Sequence, residues 1–279
     1  MIEIRHNCRE KYTVLVLICC MISQGCATTP YRYGSARSAR PIESSSADVA
    51  FEFGQPRPTM DRMRKVVDYP KRLFCRESSH LDPELSARHR EQLAQYLSQN
   101  DLTDVRVLVN RYDPWGEWQR LRTNDRVGPG WRYTAGILSV ASYTLVPGRV
   151  FGYQHYNPYT NSLSVNSDRV ASAVFEAAYA KEIHASRLPG TYAAATQLPG
   201  VSLWKTSHAV NDVLGYATVE DNWELEHETY HECFPRIASG VVAPAQFFVT
   251  PVVGFIVMVG GGVLGHAVGN IFEARRLAE

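Results

Sequence analysis

The stretch that most constrains this chain is residues 157–184, NPYTNSLSVNSDRVASAVFEAAYAKEIH. Turn signals at Asn157-Pro158 and Thr160-Asn161 frame a run in which Leu163 and Val165 alternate, as in an edge-like strand. Ser167-Asp168 then supplies a helix N-cap, and an apolar helix over residues 169–186 ends before Pro189-Gly190. At the helix centre, Phe175-Glu176-Ala177-Ala178-Tyr179 sets two aromatic rings four residues apart on one face, with a carboxylate beside them.

The chain around this stretch reads as α+β. A helix over residues 83–99 turns Leu85, His89, Leu93, Tyr96 and Leu97 to one side, and a strand over residues 104–112 alternates through Val105, Val107 and Val109. Residues 131–151 are apolar but interrupted by Gly136, Pro147 and Gly148, which favours a buried hairpin or core over contact with a membrane surface. Further helices are predicted over residues 202–217 and 220–232, the second stopping at Pro235. From residue 237 to 272 no charged residue occurs. Residues 246–269 are long enough to span a bilayer, and Gly261, Gly265 and Gly269 recur at the spacing that lets helices approach closely. Arg275 and Arg276 would place that end in the cytoplasm. Pro244, Pro251 and Gly260 to Gly262 favour the alternative of a re-entrant or buried hairpin.

The N-terminus reads as a targeting segment. Arg5, Arg9 and Lys11 precede an apolar run at residues 13–22, followed by Ser23-Gln24-Gly25-Cys26. This resembles a bacterial lipoprotein signal over residues 1–25, with Cys26 acylated and the main domain outside the cytoplasm. The alternative is an ordinary secretory signal or an N-terminal anchor. Residues 26–59, rich in Ser, Arg, Gly and Pro, read as a flexible tether ahead of an α+β domain at 60–236, an apolar Gly-rich membrane segment at 237–272 and a basic tail at 273–279. Export would leave Cys75 and Cys233 as a single pair, either a disulfide or two buried thiols. A net charge of +1 over 279 residues, with no basic tract interleaved with aromatics, argues against nucleic acid. No phosphate-binding Gly-rich loop follows a strand, and no Gly-x-Ser-x-Gly elbow occurs.

Residues 175–179 have the shape of His-Glu-x-x-His with both histidines replaced. In that motif two imidazoles on one helix face bind zinc, and the Glu beside them acts as general base. A phenylalanine has no lone pair to offer, and a tyrosine phenol is a poor ligand at neutral pH, so Phe175, Glu176 and Tyr179 read as a packed core. A literal His-Glu-x-x-His stands at His227-Glu228-Thr229-Tyr230-His231. Glu226 and Glu232 flank it, Pro235 follows within a turn, and no further Asp or Glu occurs until Glu273, beyond the apolar segment. It therefore reads as a charged helix face, with zinc binding as the alternative. His184 and His208 are isolated candidates for a different metal or acid–base site.

Residues 102–239 resemble an uncharacterised bacterial family of membrane-associated, zincin-like metallopeptidase-type proteins. There, a segment like Tyr156-Asn157-Pro158-Tyr159-Thr160-Asn161 leads through a strand and a Ser-Asp cap into a His-Glu-Ala-x-His helix. This chain keeps Ser167-Asp168, Ala180-Lys181-Glu182, Gly190-Thr191-Tyr192-Ala193-Ala194 and Asn211-Asp212-Val213-Leu214-Gly215-Tyr216. The resemblance implies a zincin-like α+β fold. It puts Phe175 and Tyr179 at the two metal-binding histidine positions and leaves Glu176 in place. The family's downstream acidic ligand falls near Thr206.

The expectation is a lipoprotein of the bacterial cell envelope, membrane-anchored through Cys26 and the C-terminal segment. Its metallopeptidase-like domain would be non-catalytic, bind a peptide or membrane-protein partner, and need no cofactor. The alternatives are an active zinc endopeptidase using His227, Glu228 and His231, and a purely structural envelope protein.

Overall fold

The computed structural model describes residues 30–74, 85–198, 201–242 and 251–278, which belong to two compact units, Tyr31–Leu198 and Met1–Pro30 with Pro199–Glu279. The signal at 1–25, Cys26 and Cys75 lie outside the described residues.

The unit over Tyr31–Leu198 is α+β. Its sheet has the order β1-β2-β4-β3, where β1 is Phe51–Phe53, β2 Arg106–Val109, β3 His155–Asn157 and β4 Ser162–Val165. β1, β2 and β4 run parallel, and β3 lies antiparallel to β4 at the edge. The turn between β3 and β4 is local chemistry: Asn157 Oδ1 accepts from the Tyr159 amide at 3.1 Å, and Asn161 takes the left-handed conformation that Asn tolerates. The Leu163–Val165 strand is therefore central rather than an edge, and all four β4 residues are buried.

Around the sheet lie α1 (Pro58–Phe74), α2 (Ala87–Gln99), α3 (Pro114–Thr123), α4 (Ile137–Leu145), α5 (Gly148–Phe151), α6 (Val170–Ala185) and α7 (Pro189–Ala195). α6 carries apolar residues on every side and is buried along nearly its whole length, Glu176 and Lys181 included. The register puts Val107, Leu163 and Tyr156 on one sheet face, and the Tyr156 ring meets Tyr179 of α6 edge-on at 5.9 Å. Ser162, Ser164, His155 and Asn157 occupy the other face.

Three further expectations are corrected in this unit. The stretch expected as a tether joins the fold: Tyr33 is buried and bridged to Ser38, and β1 pairs with β2. Gly54, just past β1, lies so close to the Asn110 carbonyl that a Cβ would overlap it. Ser167-Asp168 does not cap α6. Asp168 Oδ1 instead accepts from the Ser86 amide (3.0 Å) and pairs with His89 Nδ1 (2.6 Å), fixing the start of α2. Residues 131–151, expected as a buried hairpin or core, are helical turns only partly buried. Their inner side packs through Gly136 and Val140, while Leu138 and Leu145 are 70% and 80% exposed.

The second unit comprises α8 (Val201–Val219), α9 (Trp223–Val242) and α10 (Pro251–Arg276). Asn222 opens α9 by accepting from the Leu225 amide at 3.1 Å, and the helix continues through Pro235 rather than stopping there. α10 runs antiparallel to α9, with Gly265 against Phe234 and Pro235 and Gly269 against Tyr230. The expected C-terminal transmembrane segment is not supported, because no described helix is both long and apolar enough to cross a membrane. The glycine spacing instead serves packing within the chain, and the far end of α10 carries Glu273 and Arg276, both in ion pairs with α9.

A Cβ at position 265 would lie 2.5 Å from Pro235 Cα, a backbone atom that cannot swing away. Gly265→Ala should destabilise the protein by about 1–3 kcal/mol in chemical denaturation despite the better helix propensity of Ala. Gly262→Ala, with open space around it, should be neutral or stabilising by up to about 1 kcal/mol.

Candidate functional site

Phe175, Glu176 and Tyr179 lie in the core. Phe175 and Tyr179 are 3% and 1% exposed. The Tyr179 hydroxyl is hydrogen-bonded to Thr196 Oγ1 at 2.8 Å. Burial, only partly offset by that bond, holds the phenol well above its usual pKa, so it stays neutral and is no anionic ligand. Glu176 is buried too, and its Oε2 accepts from the backbone amide of Tyr156 at 3.0 Å. That amide faces away from β4, on the open edge of the sheet. The carboxylate is therefore an edge cap, with His155 Nδ1 4.0 Å away.

A cavity of about 580 Å³ opens over the other sheet face, bounded by α3, α4, the β3–β4 turn and the end of α7. Ser162, Ser164, His155 and Asn157 form its floor, and Leu138, Val146 and Tyr153 give it an exposed apolar rim. None of Phe175, Glu176 and Tyr179 lines it. Its wall holds Glu117, placed on the first turn of α3 by the Asp113 cap and Pro114. The Glu117 side chain is 1% exposed. Its Oε1 takes Arg120 Nη2 at 2.9 Å and the Ser162 hydroxyl at 2.8 Å. Its Oε2 is buried and has no hydrogen-bond partner among the described residues, and the same holds for the hydroxyl of Tyr159. Tyr143, also on the wall, donates to Arg111 O and accepts from the Asp113 amide, each at 3.1 Å. Burial foremost keeps that phenol protonated. The cavity wall thus includes two residues, Glu117 and Tyr159, each with a solvent-shielded polar atom that has no hydrogen-bond partner among the described residues. Sequence reasoning missed Glu117 because an acid in a first helical turn normally faces water.

The other candidates fall as follows. His184 Nε2 lies 3.1 Å from Asn161 Oδ1. Burial first, then the charge of Arg126, lower the His184 pKa to about 4 against the pull of Asp104. It is a neutral core histidine. His208 stacks on Trp204 at 4.2 Å between ring centroids, and Thr206 Oγ1 donates to Ser202 O within α8. Cys233 is fully buried on α9, and its pairing with Cys75 falls outside the described residues. His227 and His231 stack one turn apart on α9 and meet Glu273, the acid that the sequence separates from them by the apolar segment. Glu228 is half-buried beside them, with Oε1 shielded from solvent.

No family model, curated protein or solved structure is significantly similar to the chain.

Two outcomes test these placements. Glu176→Ala, which strands the buried Tyr156 amide, should cost about 1–3 kcal/mol of stability, and Glu176→Gln, which keeps an acceptor, should cost less. Folding favours the neutral His184 ring. Its contribution is full above the unfolded pKa of about 6.5 and is lost as pH falls towards about 4. Urea unfolding between pH 7 and pH 4.5 should therefore show a steeper loss for the native protein than for His184→Gln.

Proposed function

We propose that the Tyr31–Leu198 unit is a metallopeptidase-like but non-catalytic domain that binds an apolar peptide segment of a protein partner in its cavity. The observation that carries this reading is a cavity walled by Glu117 and Tyr159, whose shielded Oε2 and hydroxyl have no hydrogen-bond partner among the described residues. Such groups are rarely left unmet. Once a side-chain shift opens them to the cavity, this acceptor and hydroxyl donor match the N–H and C=O of a peptide group, and Leu138, Val146 and Tyr153 offer apolar contact at the mouth. The absence of chemistry follows from the side chains at 175 and 179, neither of which is a zinc ligand at neutral pH. The edge of β3 does not compete for the peptide, because Glu176 occupies the Tyr156 amide that an added strand would need. Lipid on Cys26 would hold the domain at the envelope membrane.

Binding of the purified protein to an array of immobilised apolar 12-residue peptides tests the cavity. Glu117→Gln should weaken the retained peptides about tenfold or more, the range expected for a hydrogen bond to a charged group. Equal binding by the variant, or cleavage of the peptides, would contradict the proposal. Labelled palmitate should enter the native protein in a bacterial host and not Cys26→Ser.

A further inference from the structure

We infer that the α9–α10 hairpin carries a binding site for one divalent transition-metal ion of the zinc class, with His227, His231 and Glu273 as ligands. The site lies within the second unit and does not rest on the cavity reading.

The geometry is built by the hairpin itself. His227 and His231 are one turn apart on α9, so their imidazoles share a face, with ring centroids 4.6 Å apart. The close approach at Gly265 and Gly269 sets the antiparallel register of α10 and brings Glu273 opposite the pair. Glu273 Oε1 lies 3.2 Å from His227 Nε2, and Oε2 lies 3.1 Å from His231 Nε2. One ligand atom from each of the three residues falls within 4.8 Å of the others. Ligands about 2.0–2.2 Å from a tetrahedral ion sit about 3.4 Å apart, close to the two His–Glu273 spacings, and the full set of three, within 4.8 Å, needs only side-chain adjustment to close on an ion.

The donor set also selects the ion. Two imidazoles and one carboxylate suit zinc and its neighbours in the first transition row, whereas calcium and magnesium prefer oxygen alone. On binding, each Nε2 gives its lone pair to the metal, and its proton either moves to Nδ1 or leaves to solvent. Glu273 supplies the negative charge. The neighbouring Glu226 is committed elsewhere, pairing with Arg276 at 3.3 Å and accepting from the Tyr230 hydroxyl at 2.9 Å. His227 and His231 are 48% and 37% exposed at the side chain, so an ion can enter from solvent and a water can complete the shell.

The competing account is a metal-free cluster in which Glu273 only hydrogen-bonds the two rings, and the test separates the two. Full-length protein without a polyhistidine tag is stripped with chelator and dialysed against zinc chloride at micromolar free zinc, and bound metal is counted. The native chain should hold about one zinc, and cobalt substitution should give the visible absorption of a tetrahedral N/O site. His231→Ala and Glu273→Gln should each weaken zinc at least tenfold, while His266→Ala, on the exposed face of α10, should leave it unchanged. Far-UV circular dichroism of Glu273→Gln identifies a variant that has lost its fold. In that event the cobalt spectrum of the native protein still decides. No saturable zinc on the native chain, binding that survives in the His227→Ala/His231→Ala double variant, or a six-coordinate cobalt spectrum would overturn the inference.

Discussion

The hydrogen bond between the Tyr156 amide and Glu176 Oε2 is the contact on which the Tyr31–Leu198 unit depends. It joins the edge strand to the buried helix and satisfies two groups that burial would otherwise penalise heavily. With the carboxylate so placed, Tyr156 can turn its ring onto Tyr179, and β3 can lie along β4. A side chain that would sit beside a metal-bound water in a zinc peptidase is here a structural cap.

That arrangement divides the sheet by polarity. One face is apolar and packed by α6, with Leu163, Val165 and Val107 fully buried. The other carries Ser162 and Ser164, and the Ser162 hydroxyl is held by Glu117. The opening in this unit thus lies on the opposite face from the aromatic pair on α6. Glu117, Tyr159 and the α4 rim line this opening, and Phe175, Glu176 and Tyr179 do not.

Local signals in the sequence were legible where a short segment decides its own structure. The buried α6, the turn at Asn157–Asn161 and the apolar face of α2 follow from composition and period. What escaped was set by distant partners. Ser162 and Ser164 look like the wet side of an edge strand, yet β4 is paired on both sides and the Ser162 hydroxyl meets Glu117, 45 residues away. Asp168 looks like a cap for the helix that follows it, yet its partners are Ser86 and His89. Glu273 is 42 residues from His231, and the spacing of Gly265 and Gly269 announces a close helix contact without naming the helix. Hydropathy read that same helix as a membrane span, whereas its Gly265 and Gly269 face α9.

The most direct measurement is the hydrogen-exchange rate of the Tyr156 amide in the native protein. An edge-strand amide that faces away from its sheet ordinarily exchanges fast. Capped by buried Glu176, the Tyr156 amide should be protected to about the level of the Asn110 amide, which bonds to Val165 O inside the sheet. Exchange at the rate of exposed loop amides, with Asn110 still protected, would contradict the account: Glu176 would then be free for another role, and the helix at residues 170–185 would not be the closed core described above.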